Sequence, residues 1–130
     1  MTGSELIQVL LASGWSEHQA RLGIRANSKC EYCGMDLLGS IHAYDAWERD
    51  HIIPGRGDDL SNVALACRLC NKMKKNWRLP AGLSPGGDRS RCVEAAKAHL
   101  EPLRQAKEEK LEQAKALISR YRAAAAAAGS

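Results

Sequence analysis

The chain contains no phenylalanine, and aromatic residues make up only 5% of its 130 positions. Any core must therefore draw on Leu, Ile, Val and Ala. No apolar run is long enough to cross a bilayer. The opening Met1-Thr-Gly-Ser-Glu5 lacks the basic stretch of a secretory signal, so the sequence sets the expectation of a cytoplasmic protein without membrane partners. The formal charge of +4 is too small to name a partner by itself. What is present is globular: 45% hydrophobic and 26% charged residues, enough for one domain with an appendage. The charges are unevenly spread. Residues 1–48 carry three Lys/Arg against six Asp/Glu, whereas 49–78 carry seven against three and 79–130 nine against six. Positive charge collects from the middle of the chain onward, which suits a polyanionic partner.

Of the five cysteines, four fall in two pairs, Cys30-Glu-Tyr-Cys33 and Cys67-Arg-Leu-Cys70. In a reducing compartment, pairs at this spacing are metal ligands more often than disulfides. The 33 residues between the pairs exceed the gap of about 15–20 found in a compact zinc ribbon. One Zn2+ held by all four thiolates would thus fix the base of a sizeable inserted hairpin. Such a site is closed, and serves stability rather than catalysis. Cys92 is left over and reads as a small buried apolar residue.

Residues 4–13 read as a helix ended by Gly14, with Leu6, Val9 and Leu10 on one face. Ser16-Glu-His-Gln19 has capping-box spacing and opens a second helix reaching about residue 27. The pair is expected to pack on the metal core, with His18 exposed. Residues 35–41 read as loop and 42–53 as an extended segment, stopped by Pro54-Gly55. The turn 55–59 includes Arg56-Gly57-Asp58, read here as turn chemistry without an adhesive role. Leu60–Leu65 is the return strand or its approach, and Cys67–Trp77 a helix with Leu69 and Met73 on one face. Pro80–Gly87 is a linker. A helix follows from Asp88, and Pro102 either kinks it or opens another. From 103 onward Leu111, Ala114, Ile118 and Tyr121 form a seam suited to this domain or to a second copy of the chain. His99 lies mid-helix and needs no function. The organisation expected is 1–28 helical, 29–79 core, 80–87 linker and 88–130 helical.

Between the knuckles stand Asp50-His51-Ile-Ile-Pro54, then Asn62, with Asn71 directly after Cys70. This set resembles the HNH endonuclease family, in its zinc-containing four-cysteine branch, over about residues 30–76. The resemblance implies an α+β fold, a small ββα-metal core flanked by helices. It implies His51 as general base, Asn62 as a brace that orients it, and Asp50 and Asn71 as ligands of one catalytic divalent ion, Mg2+ or Mn2+. The substrate would be DNA before RNA, cut to a 5′ phosphate and a 3′ hydroxyl.

The chemistry supports these assignments independently. A hard cation on oxygen donors neutralises charge at the phosphorus and at the leaving oxygen. A histidine titrating near neutrality takes a proton from water. Arg49, Arg68, Lys72, Lys74, Lys75 and Arg78 are placed to meet phosphates, which gives affinity without sequence choice. Trp47 and Trp77 are expected in packing rather than stacked on bases. Two rival readings remain open: a catalytically silent zinc-stabilised nucleic-acid-binding module, and a protein-interaction domain built on the long helices.

Overall fold

A single antiparallel hairpin organises the molecule, described here over residues 1–129 in a computed structural model. Strand β1 (Trp47–His51) pairs with β2 (Val63–Cys67) in the register Trp47↔Cys67, Glu48↔Ala66, Arg49↔Leu65, Asp50↔Ala64 and His51↔Val63. The pairing runs on past both ends: Ile52 N donates to Asn62 O, and Arg68 N to Ala46 O, each at 2.8 Å. All five residues of β2 are buried, as an uninterrupted apolar run facing cover on both sides requires.

Helix α1 (Gly3–Ala12) is capped by Thr2, whose Oγ1 accepts from Glu5 N. It ends at Gly14, whose φ of +101° favours glycine. Its inward face is Ile7, Leu10 and Leu11, all half-buried, while Leu6 and Val9 stay exposed. The inward face is therefore turned relative to the one expected from Leu6, Val9 and Leu10. Helix α2 (Glu17–Arg25) starts where the capping-box spacing placed it, with Ser16 Oγ accepting from Gln19 N at 3.1 Å. It buries Ala20, Leu22 and Gly23. A Cβ at Gly23 would lie 2.9 Å from Trp47 Cη2, so the missing side chain is what lets the indole lie close against the helix.

The first knuckle is a tight turn, with Cys30 N donating to Met35 O and Gly34 N to Cys30 O at 2.9 Å each; Gly34 has φ +79°. Residues 42–45 were expected to be extended but instead form part of the short helix α3 (Ile41–Asp45). The reason is Ser40, whose Oγ caps Ala43 N at 3.0 Å and starts a helical turn that the partial alternation concealed. Tyr44 from this helix joins Trp15 and Trp47 in an aromatic cluster, with Trp15 and Trp47 edge to face at 5.4 Å.

A 3-10 turn (Leu60–Asn62) leads into β2. Helix α4 (Arg68–Lys74) then leaves the second knuckle, its N-cap being Cys67, whose Sγ accepts from Cys70 N. It stops at Lys75, where φ turns to +47°. Helix α5 (Pro85–Gly129) begins inside the expected linker, consistent with proline's preference for a first helical turn, and bends at Asp88. It runs through Pro102 without a break in helical conformation.

The chain divides into two units, Met1–Leu100 and Glu101–Ser130. The first holds one apolar core that includes Tyr32, Leu37, Ile52, Leu65, Cys92, Ala96 and Leu100. Cys92 is fully buried, as expected. His99 stacks on Trp77 at 4.8 Å, and Trp77 packs against the core. One acidic side chain ties this unit together. Glu31 accepts from Leu65 N (2.6 Å) of β2, Arg25 (3.0 Å) of α2 and Arg89 (2.7 Å) of α5. Both arginines also donate to the Val63 carbonyl. The second unit is helical, with Leu111, Leu117, Ile118 and Tyr121 exposed.

Candidate functional site

The hairpin and α4 carry the chemistry-bearing residues, and the knuckles fix their base. The Sγ atoms of Cys30, Cys33, Cys67 and Cys70 all lie within 4.8 Å of one another. Zinc–sulfur bonds of about 2.3 Å put the sulfurs of a tetrahedral centre about 3.8 Å apart. Cys33 and Cys67 are separated by 3.8 Å, and none of the four is in a disulfide. Residues and spacing fit a structural Zn2+. Among the described residues, this is the only group of three or more His, Cys, Asp or Glu side chains within shared ligand reach. Hydrogen bonding by the thiols of Cys30, Cys33 and Cys70 holds the Cys67 thiol far below its ordinary pKa. The Cys33 thiol falls to about 6, chiefly through its hydrogen bond with Cys30. The same mutual hydrogen bonds raise the Cys30 and Cys70 thiols, so without a metal the four sulfurs share protons, and binding the ion would release them.

Alternation along β1 divides its residues between two sides. Asp50 points inward and is 6% exposed. Its Oδ2 accepts from Tyr32 Oη at 2.5 Å and lies 3.1 Å from Lys74 Nζ, which also donates to the His51 carbonyl at 3.2 Å. Lys74 itself is 2% exposed. This corrects its expected place on phosphate: the ammonium neutralises a buried carboxylate, as a buried charge requires. Burial first, and then the negative charge of Asp50, raise the Tyr32 phenol well above its ordinary pKa of 10.

Glu48 shares Asp50's side of the strand. Its Oε1 accepts from Asn71 Nδ2 at 2.7 Å and its Oε2 from Arg68 Nε at 3.1 Å. Arg68 also ion-pairs with Asp45 at 3.1 Å. Asn71 thus faces the hairpin, but no hydrogen bond links Asp50, His51 and Asn71 to one another. In this arrangement Asp50 and Asn71 do not form an open pair of ligands for a divalent ion, because the Asp50 carboxylate is already occupied by Tyr32 and Lys74.

His51 closes β1 on the opposite side, with its side chain 38% exposed. Its Nε2 lies 2.5 Å from Asp58 Oδ1. The loop that carries Asp58 is braced by Asn62, which is buried: Asn62 Oδ1 accepts from Ile53 N (2.9 Å), and Nδ2 donates to the carbonyls of Ile53 and Gly57 (3.1 Å each). Asn62 thus makes three side-chain hydrogen bonds within this loop. His18 does not stand free in solvent; its Nε2 lies 2.9 Å from the Asp58 carbonyl. The hydrogen bond with His51 holds the Asp58 carboxyl below its ordinary range, and the charges of Arg49 and His18 act in the same direction.

Arg49, Lys72, Lys75 and Arg78 are exposed and have no ion-pair partner among the described residues. Sequence reasoning missed Tyr32, Glu48, Asp58 and His18. Tyr32 stood between two ligands and could have been suspected; for the others, chain separation carried no signal.

No curated protein and no solved structure matches the chain. A family model does, that of the HNH endonucleases, over residues 30–76. The match runs from the first zinc-type cysteine to just past the C-terminus of α4, and so covers both knuckles, the hairpin and the helix that closes the site. Residues 30–76 thus match the HNH endonuclease family model, and the four cysteines inside the match are placed to bind one metal ion, consistent with the family's zinc-containing branch.

Proposed function

We propose that this chain is an endonuclease that hydrolyses phosphodiester bonds in DNA, with His51 as general base. The observation that carries the reading is the state of His51. It sits at the end of a strand with one ring nitrogen engaged and the other, Nδ1, without a partner among the described residues. Nδ1 is therefore available to a water. It would take the proton as the water oxygen attacks phosphorus, and the P–O3′ bond would break on the far side. Asn62 keeps the loop beside the base in one conformation. Arg49, Lys72, Lys75 and Arg78 supply unpaired positive charge for backbone phosphates.

A bound Mg2+ or Mn2+ would offset charge at the phosphorus and at the leaving oxygen. Asp50 and Asn71 are the residues proposed to hold it, and Asp50 would first have to be released by both Tyr32 and Lys74. The closed state of Asp50 favours a second reading, a zinc-stabilised nucleic-acid-binding module without catalysis.

Nicking of supercoiled plasmid decides between them, run with Mg2+, with Mn2+ and with EDTA, and with His51→Ala alongside. Metal-dependent nicking that His51→Ala abolishes is the expected result. Salt-sensitive DNA binding with no nicking by the wild type would establish the binding module instead.

A further inference from the structure

Asp58 is not among the residues that the motif reading singled out, yet among the described residues it is the side chain hydrogen-bonded to the His51 ring. Its Oδ1 is 2.5 Å from His51 Nε2. A carboxylate can only accept, so in the neutral ring the proton resides on Nε2 and the lone pair on Nδ1. That is the tautomer a base facing outward from the strand needs. The contact also does a second thing. When Nδ1 takes a proton, the imidazole becomes a cation, and a carboxylate at 2.5 Å stabilises it.

Asp58 lies in an exposed loop and would wander unless held. Two anchors fix its backbone. Asn62 Nδ2 donates to the carbonyl of Gly57 at 3.1 Å, one residue before it. His18 Nε2 meets the carbonyl of Asp58 itself at 2.9 Å. That carbonyl can only accept, so His18 is the donor and its Nε2 carries hydrogen. His18 belongs to α2, outside residues 30–76. A helix that is not part of the matched segment thus reaches the loop that orients the base.

We propose that Asp58 is a positioning residue for His51, fixing its tautomer and ring orientation, and that His18 holds Asp58 in place. The proposal rests on the reading of His51 as base. Partners that orient metal-ligating histidines are worth roughly 10- to 100-fold in affinity or activity, and an effect of the same order is expected for a partner that orients a base.

The test uses the full chain loaded with zinc and two readouts. In steady-state plasmid nicking, Asp58→Ala is expected to lower kcat about 10- to 100-fold with KM and DNA affinity unchanged. Asp58→Asn, which keeps an acceptor but not the charge, should recover part of the loss. His18→Ala should lower kcat less, and His18→Gln, which keeps a donor, should restore it. Long-range 1H–15N spectra of the imidazoles supply the second readout, independent of turnover. Wild-type His51 should show one tautomer protonated at Nε2, and Asp58→Ala should move its two nitrogens toward averaged shifts. An Asp58→Ala enzyme with kcat within twofold of wild type, or one altered only in KM, overturns the proposal. An unchanged His51 spectrum in Asp58→Ala overturns it as well. The two levels fail differently. If His51→Ala nicks normally, the base assignment falls; if His51→Ala is dead and Asp58→Ala is normal, only the positioning role falls. A wild type that never nicks but holds a single His51 tautomer through Asp58 loses the function and keeps the contact.

Discussion

Lys74 Nζ lies 3.1 Å from Asp50 Oδ2, with both side chains closed off from solvent. Removing one partner of such a pair leaves an uncompensated buried charge, which costs about 3–5 kcal/mol. Lys74→Met should therefore destabilise the protein by that order, and Lys74→Met combined with Asp50→Asn should recover much of it. Urea unfolding at saturating zinc measures both. A Lys74→Met protein as stable as wild type would mean that the ammonium is not what neutralises Asp50.

Tyr32 donates its phenol hydrogen to the same carboxylate, and its pKa is raised in the folded state above the ordinary 10. The linkage follows from that direction. Stability linked to the protonated phenol is fully present below pH 10 and is lost as pH rises beyond it, because only the unfolded chain ionises readily there. Phenolate absorbance should show Tyr32 ionising together with the loss of circular dichroism. Tyr32→Phe should remove that component. Reversible ionisation of all three tyrosines in the folded protein would contradict the buried hydrogen bond.

The four-cysteine site predicts one Zn2+ per chain. Cys70→Ser should drop the stoichiometry well below one, and a strong chelator should abolish the cooperative thermal transition of residues 1–100, since metal affinity is folding free energy in a small core. Elemental analysis and melting curves with and without chelator read the two effects. A protein that melts identically after zinc removal would show that the thiols serve packing alone.

Gly23→Ala sets two effects against each other. A helical Gly→Ala change gains about 1 kcal/mol of propensity. The new Cβ, however, would sit 2.9 Å from Trp47 Cη2 and 3.3 Å from Cζ2. Overpacking against a rigid ring costs about 1–3 kcal/mol. A net loss on the order of 1 kcal/mol is expected, with altered tryptophan fluorescence, since Trp47 also packs on Trp15. A stabilised protein would mean that the indole moves aside at no cost.

What the sequence made legible was chemistry with local spacing. The two Cys-x2-Cys pairs and the Ser16 cap each act over a few residues. The extended reading of 42–46 failed because a single cap at Ser40 outweighed a weak alternation. Lys74 was misplaced because it stands beside Lys72 and Lys75 in sequence, whereas helical geometry turns it to another side, where the buried Asp50 carboxylate pairs with it. The contact between His18 and Asp58 spans 40 residues and has no periodicity to announce it. Such pairings are set by how α2 lies beside the loop, which no local pattern encodes.

Glu31 gives the fold a further property. It is the second residue of the matched segment, yet two of its three partners, Arg25 and Arg89, lie outside that segment on opposite sides. An excised fragment of residues 30–76 would strand a carboxylate beside β2 and strip the Val63 carbonyl of both its guanidinium donors. The smallest autonomous unit is therefore larger than the recognisable motif: grafting this hairpin into another scaffold would demand two arginines supplied from either side.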